Sequence, residues 1–325
     1  MQTNKFCIFI TITLCLSCYS FNICAYSQPN LFILNPAFYD SQHFLSDIKL
    51  IPCTLQNKVK SLCFKLSVKS TPIEDGPYCP KTVNEIGGIY PYDGPTNPGL
   101  RLLNRALFDD MEKDGFDIID DEGNIRYRLI DTRDKPLKSD YAYCIEAIKD
   151  ISLKLHYFIP ALPRFAAEPN SMEGAINIVG LSFNGIPING TPPSIINGLP
   201  NAPSGLPALD PCGGHINEGF YHSHIFPETI NEKLKQNKII EVKCETIYQK
   251  YNNELIAYAM DGFPIYGHLD LFGKVPDNLD QCSGHVASTL HYPWGIYHYH
   301  AMSHDPVNIP RCLKGELAEQ VLIVE

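Results

Sequence analysis

The sequence predicts a mainly β protein: an antiparallel sandwich or barrel built from two pseudo-symmetric halves, behind a small α+β N-terminal region. Three observations predict it. After residue 150, short apolar runs alternate with Gly, Pro and Asn, the texture of many short strands joined by turns. The 325 residues include 26 Pro and 22 Gly, so turns are frequent throughout. Four sequence blocks of the C-terminal half recur in the same order, and two such units are expected to pack as halves of one core.

From the N-terminus, Met1 to Lys5 is a short polar start and Phe6 to Ala25 runs almost without charge. Residues 1–25 therefore read as a secretory signal peptide, with an uncleaved anchor as the rival. No later segment is long and apolar enough to span a bilayer. The expected location is secreted or periplasmic, or membrane-anchored if the leader stays. Four cysteines (Cys7, Cys15, Cys18, Cys24) fall in the leader. Eight remain: Cys53, Cys63, Cys79, Cys144, Cys212, Cys244, Cys282 and Cys312. An even count without a C-x-x-C pair predicts disulfides ahead of zinc thiolates or a redox centre. The formal charge of -10, with no basic block to offset it, argues against a nucleic-acid partner. An extracellular protein or a small molecule remains as the partner.

Residues 26–149 carry no chemical constellation and no assigned role. Leu100, Leu103, Leu107 and Met111 recur at helical spacing and predict a helix from Leu100 to Asp114, ended by Gly115. Phe116–Ile119 and Ile125–Ile130, joined through Asp120–Asn124, predict a β-hairpin. Ile151–Ile159 alternates like a half-buried strand and opens the 150–325 domain. Glu228–Lys238 predicts a short surface helix, and Val321–Val324 a closing strand.

The duplication spans about residues 176–247 and 253–316. Asn184-Gly-Ile-Pro-Ile-Asn-Gly190 aligns on Asp261-Gly-Phe-Pro-Ile-Tyr-Gly267, and Asp210-Pro-Cys212-Gly-Gly-His215 on Asp280-Gln-Cys282-Ser-Gly-His285. Gly219-Phe-Tyr221-His222-Ser-His224 aligns on Gly295-Ile-Tyr297-His298-Tyr-His300, with Cys244 and Cys312 following each. The order of parts suggests one staple per half, Cys212 with Cys244 and Cys282 with Cys312, each worth roughly 3 kcal/mol.

These blocks, with Tyr157-Phe-Ile-Pro-Ala-Leu-Pro163, Phe183-Asn-Gly-Ile-Pro187 and Pro310-Arg-Cys-Leu-Lys-Gly315, resemble the YHYH-domain proteins. The family takes its name from the tetrapeptide that stands here as Tyr297–His300. The resemblance covers about residues 150–316 and implies a secreted setting without implying a reaction. One departure is Ser223, where a second tyrosine would stand in the first motif.

His-x-His on a strand puts both imidazoles on one face and the tyrosines on the other. If the halves pack face to face, His222, His224, His298 and His300 converge as a site of four, with His215 and His285 close behind. Imidazole suits transition metals, copper or zinc foremost. Asp210 and Asp280 are candidate ligands or groups that orient a ring, and Asp261 and Asp280 are the weak candidates for a catalytic base. Asp261 also differs from its counterpart Asn184, which points to a charge needed in one half alone. His43, His156, His268, His291 and His304 have no repeat partner, and His268 follows the Asp261–Gly267 turn directly.

Two functions fit this pattern. One is a secreted protein with a His-rich transition-metal site, able to be catalytic if a coordination position stays open. The other is a disulfide-stapled extracellular binding or adhesion module whose His and Tyr blocks are structural. No phosphate loop, dinucleotide fingerprint, Gly-x-Ser-x-Gly elbow or His-Glu-x-x-His helix is present.

Overall fold

The computed structural model describes residues 33–73, 76–134, 141–195, 205–302 and 305–325. The proposed signal peptide, residues 1–25, lies outside the described residues. In chain order the elements are β1 (Lys49–Thr54), β2 (Lys60–Lys69), β3 (Ile89–Tyr92), β4 (Gly99–Leu102), α1 (Arg105–Lys113), β5 (Tyr127–Ile130) and β6 (Tyr143–Ala147). There follow β7 (Lys154–Pro160), β8 (Phe165–Ser171), β9 (Ile178–Ser182), β10 (Pro187–Asn189), β11 (Gly205–Pro207), β12 (Gly214–Asn217) and β13 (Phe220–Ser223). The rest are α2 (Ile230–Gln236), β14 (Leu255–Ala259), β15 (Pro264–Tyr266), β16 (Gly284–Ala287), β17 (Ile296–His300), β18 (Cys312–Gly315) and β19 (Leu322–Val324).

The duplication becomes one eight-stranded sheet with the order β12-β13-β10-β9-β14-β15-β17-β16. Read outward from the central β9–β14 pair, each half repeats the other strand for strand. β9 and β14 pair antiparallel, Leu181 opposite Tyr258. β9–β10 and β14–β15 are hairpins closed by the Asn184-Gly and Asp261-Gly turns. β10–β13 and β15–β17 then pair parallel, and each half ends in an antiparallel hairpin, β12–β13 or β16–β17. The sheet is open, so of sandwich and barrel the closed barrel is excluded. The halves also lie edge to edge within one sheet, where the sequence suggested face-to-face packing. Because β9 and β14 satisfy each other's backbone groups, this join removes two strand edges that would otherwise be exposed.

A four-stranded sheet, β1-β2-β7-β19, runs across position 150 without a break. β7 pairs with β2 from Lys154 opposite Lys69 to Pro160 opposite Cys63, and β19 lies on its other side. The closing strand at Val321–Val324 is therefore present, but β7 is buried from Leu155 to Pro160 and is not the half-buried strand expected. The helix is shorter than its periodicity suggests. Asn104 caps α1 through its side chain, and Leu100 and Leu102 belong instead to β4, paired with β3. Residues 116–130 form a single bridge, Ile119 to Ile125, in place of a hairpin. β5 pairs parallel with β6, because Ile118 and Ile125 turn into the core around α1. α2 occupies the predicted 228–238 stretch, with Ile230 and Leu234 buried.

Four disulfides occur among the described residues: Cys53–Cys63, Cys79–Cys144, Cys212–Cys244 and Cys282–Cys312. The last two are the one-per-half staples suggested by the duplication. Such bonds fit an oxidising, extracellular or periplasmic setting. No helix among the described residues is long and apolar enough to cross a membrane.

Candidate metal centre

The terminal hairpin of each half builds a cluster of three imidazoles. In the first, the β12–β13 register sets His215 opposite His222, and the period of two along the strand returns His224 to the same face. In the second, His285 sits opposite His298, and His300 shares their face. The Nε2 atoms of His215, His222 and His224 form a triangle with 3.2 Å on each side. Those of His285, His298 and His300 form another, with sides of 3.2, 3.1 and 3.3 Å.

Four of the six other ring nitrogens face acceptors. His300 Nδ1 donates to the Gly267 carbonyl at 2.7 Å, His298 Nδ1 to the Ile296 carbonyl at 3.0 Å, and His285 Nδ1 to Asn278 Oδ1 at 2.8 Å. His224 Nδ1 donates to the Gly190 carbonyl. A carbonyl oxygen only accepts, so each of these rings carries its hydrogen on Nδ1 and points an Nε2 lone pair into the triangle. Gly190 and Gly267 are the last residues of the duplicated Gly-x-Pro-Ile-x-Gly block. A Cβ on Gly190 would lie 2.2 Å from the Met172 carbonyl oxygen, and one on Gly267 2.2 Å from that of Asn252. That block therefore ends in glycine because its carbonyl orients a histidine at a point where no side chain fits.

Burial keeps the rings neutral. It lowers the pKa of His224 and His298 to about 4 and that of His300 to about 3, and it depresses His215, His222 and His285 as well. Neutral imidazole is the ligating form. Each triad can hold a metal ion. Three imidazole nitrogens on one tetrahedral ion with bonds of about 2.0–2.1 Å would lie about 3.3 Å apart, and the Nε2 separations of 3.1–3.3 Å fit that spacing.

Residues 156–273 match the sequence profile of the family described as YHYH protein. The chain carries a YHYH domain over those residues. No curated protein and no solved structure gives a significant match. The matched span takes in the whole first triad and ends before His285, so it is narrower than the 150–316 stretch over which the family's blocks recur. The second half extends the YHYH pattern by the duplication alone.

Two features of the YHYH domain differ from what its sequence suggests. The six histidines gather as two triads of three, and His222, His224, His298 and His300 do not form one site of four. Four strands, β10, β9, β14 and β15, separate β13 from β17 in the sheet, a spacing of roughly 24 Å at about 4.8 Å per strand. The carboxylates, moreover, serve the tyrosine face. Asp210 accepts from Tyr221 Oη at 2.9 Å and from the amides of Cys212 and Gly214. Asp280 accepts from Tyr297 Oη at 3.0 Å and from the amides of Cys282 and Gly284, with Lys314 Nζ 3.2 Å away. Asp261 accepts from Tyr299 Oη at 2.5 Å and from the amides of Phe263 and Gly315. None of the three belongs to a triad or orients its rings, because the tyrosines alternate with the histidines along each strand. His268, half-buried just past Gly267, also stands outside both triads.

The sequence did not reveal Asn278 or the glycine carbonyls as partners of the rings. The repeat did mark Gly190 and Gly267 as fixed points, but a backbone carbonyl leaves no trace in residue type. Nor did it reveal that the two half-specific differences form one contact. Tyr299 donates to Asp261, and where Ser223 replaces the tyrosine, Asn184 replaces the carboxylate. Ser223 Oγ donates instead to the Gly213 carbonyl at 2.9 Å.

Proposed function

We propose that this YHYH-domain protein is exported through its leader and binds two transition-metal ions, copper or zinc, one in each histidine triad. The observation that carries the proposal is the convergence of three lone pairs in the second triad. His285, His298 and His300 each commit their Nδ1 hydrogen to an oxygen, so three Nε2 acceptors meet at 3.1–3.3 Å with no hydrogen between them. A single added proton satisfies one pair of nitrogens, whereas a cation satisfies all three. The donor set is all imidazole, with every described cysteine in a disulfide, which favours zinc or copper over thiolate-dependent centres. A three-histidine site with an open fourth position is also the arrangement in which zinc activates water, the chemistry such an ion supplies when bound.

The test is metal analysis of the mature, tag-free protein recovered from its export route. Two equivalents of copper or zinc per chain are expected. Metal at background, with no thermal shift when either ion is added, refutes the proposal and leaves the histidines as polar packing in a binding module.

A further inference from the structure

The two triads are equivalent in sequence and unequal in surroundings. His215, His222 and His224 are all buried, whereas His285 is only half-buried. The opposite, tyrosine-bearing faces of the two hairpins differ as well: Ile216 is 4% exposed and its counterpart Val286 is 67% exposed. On that face Ile89 of β3 and Leu100 and Leu102 of β4 pack in one cluster with Ile216 and Tyr221, although β12 and β16 both end the sheet. The second triad also floors a cavity of about 10 Å³, the space of one water molecule. Its walls include Tyr266, Asp270, Ala287 and Leu290, and Leu290 is 54% exposed. Tyr266 stands where the first half has Asn189, and its ring packs edge-on to His298 with centroids 5.1 Å apart.

We infer that the triad of His285, His298 and His300 takes an exogenous ligand of one to three non-hydrogen atoms at its fourth position, while the triad of His215, His222 and His224 is closed to it. This rests on metal binding as proposed above. The cavity, lined by all three histidines, admits an oxygen donor such as water or hydroxide. Asp270 on its wall gives a metal-bound water a carboxylate to donate to. The two ions therefore have different roles: the first sits in the wholly buried triad, and the second meets solvent.

Cobalt(II) loading of the mature, full-length protein tests this, with azide as the small ligand. Two cobalt ions per chain are expected, with azide shifting the visible bands of one of them. In His285→Ala one cobalt remains, and its bands no longer respond. Should that variant fail to fold, Leu290→Trp at the exposed mouth is expected to keep both ions and weaken azide binding at least fivefold. Two bound cobalt ions with no azide response, a response surviving in His285→Ala, or an unchanged affinity in Leu290→Trp would overturn the inference and leave metal binding intact. Failure to take up any cobalt, copper or zinc overturns both.

Discussion

Replacing Tyr299 by Phe probes the contact that distinguishes the two halves. The hydroxyl donates to Asp261 Oδ2 at 2.5 Å and accepts from the Lys314 amide at 2.6 Å, and both Tyr299 and Asp261 are fully buried. A hydrogen bond to a buried charge is worth about 1.5–3 kcal/mol, so the substitution should cost about 2–3 kcal/mol at pH 7.5. For a chain of this size that is a fall in Tm of roughly 5–10 °C. Burial raises the Asp261 pKa from 3.8 to about 6, against the pull of Tyr299 and the backbone amides. The native state thus holds more protons than the unfolded chain between those two values, and wild-type stability falls as pH rises through that window. Without the hydroxyl, the native pKa rises further and the fall continues above pH 6. The difference between wild type and variant should therefore widen from about 1 kcal/mol at pH 5, where the carboxyl is largely protonated, to the full 2–3 kcal/mol at pH 7.5. Urea denaturation of both proteins at the two pH values measures it. Equal differences at pH 5 and 7.5, or a loss under about 0.5 kcal/mol at both, would refute the assignment of Tyr299 as the donor that stabilises the Asp261 charge.

Four further outcomes are expected. Prolonged chelation should lower Tm by at least 10 °C, since an ion present at a thousandfold its Kd contributes about 4 kcal/mol per site, and calorimetry before and after metal restoration checks it. His298→Ala should reduce bound metal from two equivalents to one, read by elemental analysis against an unchanged far-ultraviolet spectrum. Gly267→Ala sets a Cβ 2.2 Å from the Asn252 carbonyl oxygen and displaces the carbonyl that holds His300. It should cost about 1–3 kcal/mol and weaken the second site, with metal content and Tm as readouts. Replacing both Cys282 and Cys312 by Ser opens a loop of 30 residues and should cost about 3–4 kcal/mol in denaturant titrations.

Much of the centre was legible because duplication made it so. A lone His-x-His carries little information, but the same spacing in two ordered copies marked six histidines, and the strand period put His222 with His224 and His298 with His300 on common faces, leaving His215 and His285 only close behind. Their grouping into threes was not legible. It depends on whether β9 meets β14 edge to edge or the halves stack, a choice fixed by long-range backbone pairing that local pattern does not encode. The carboxylates were misplaced for a related reason: Asp210 and Asp280 precede the histidines by five residues, but the turn at Cys212–Gly213 or Cys282–Ser283 carries them to the opposite face. In the N-terminal region, the 116–130 hairpin failed because β5 takes a parallel partner at β6, Tyr127 opposite Cys144. The leucine periodicity over 100–111 served a strand and a helix in succession, a boundary visible only through the Asn104 cap.

The central β9–β14 pair has a consequence for how such a chain arises. Two identical copies of a half, meeting across a twofold axis, would join through this same antiparallel edge. A single-copy ancestor would thus have been an obligate homodimer, each subunit hiding the other's β9 and each carrying one triad. Fusing the genes removes the concentration dependence of that assembly. It also releases the subunits from identity, and only then can one copy of the triad be wholly buried while its twin keeps a half-exposed histidine.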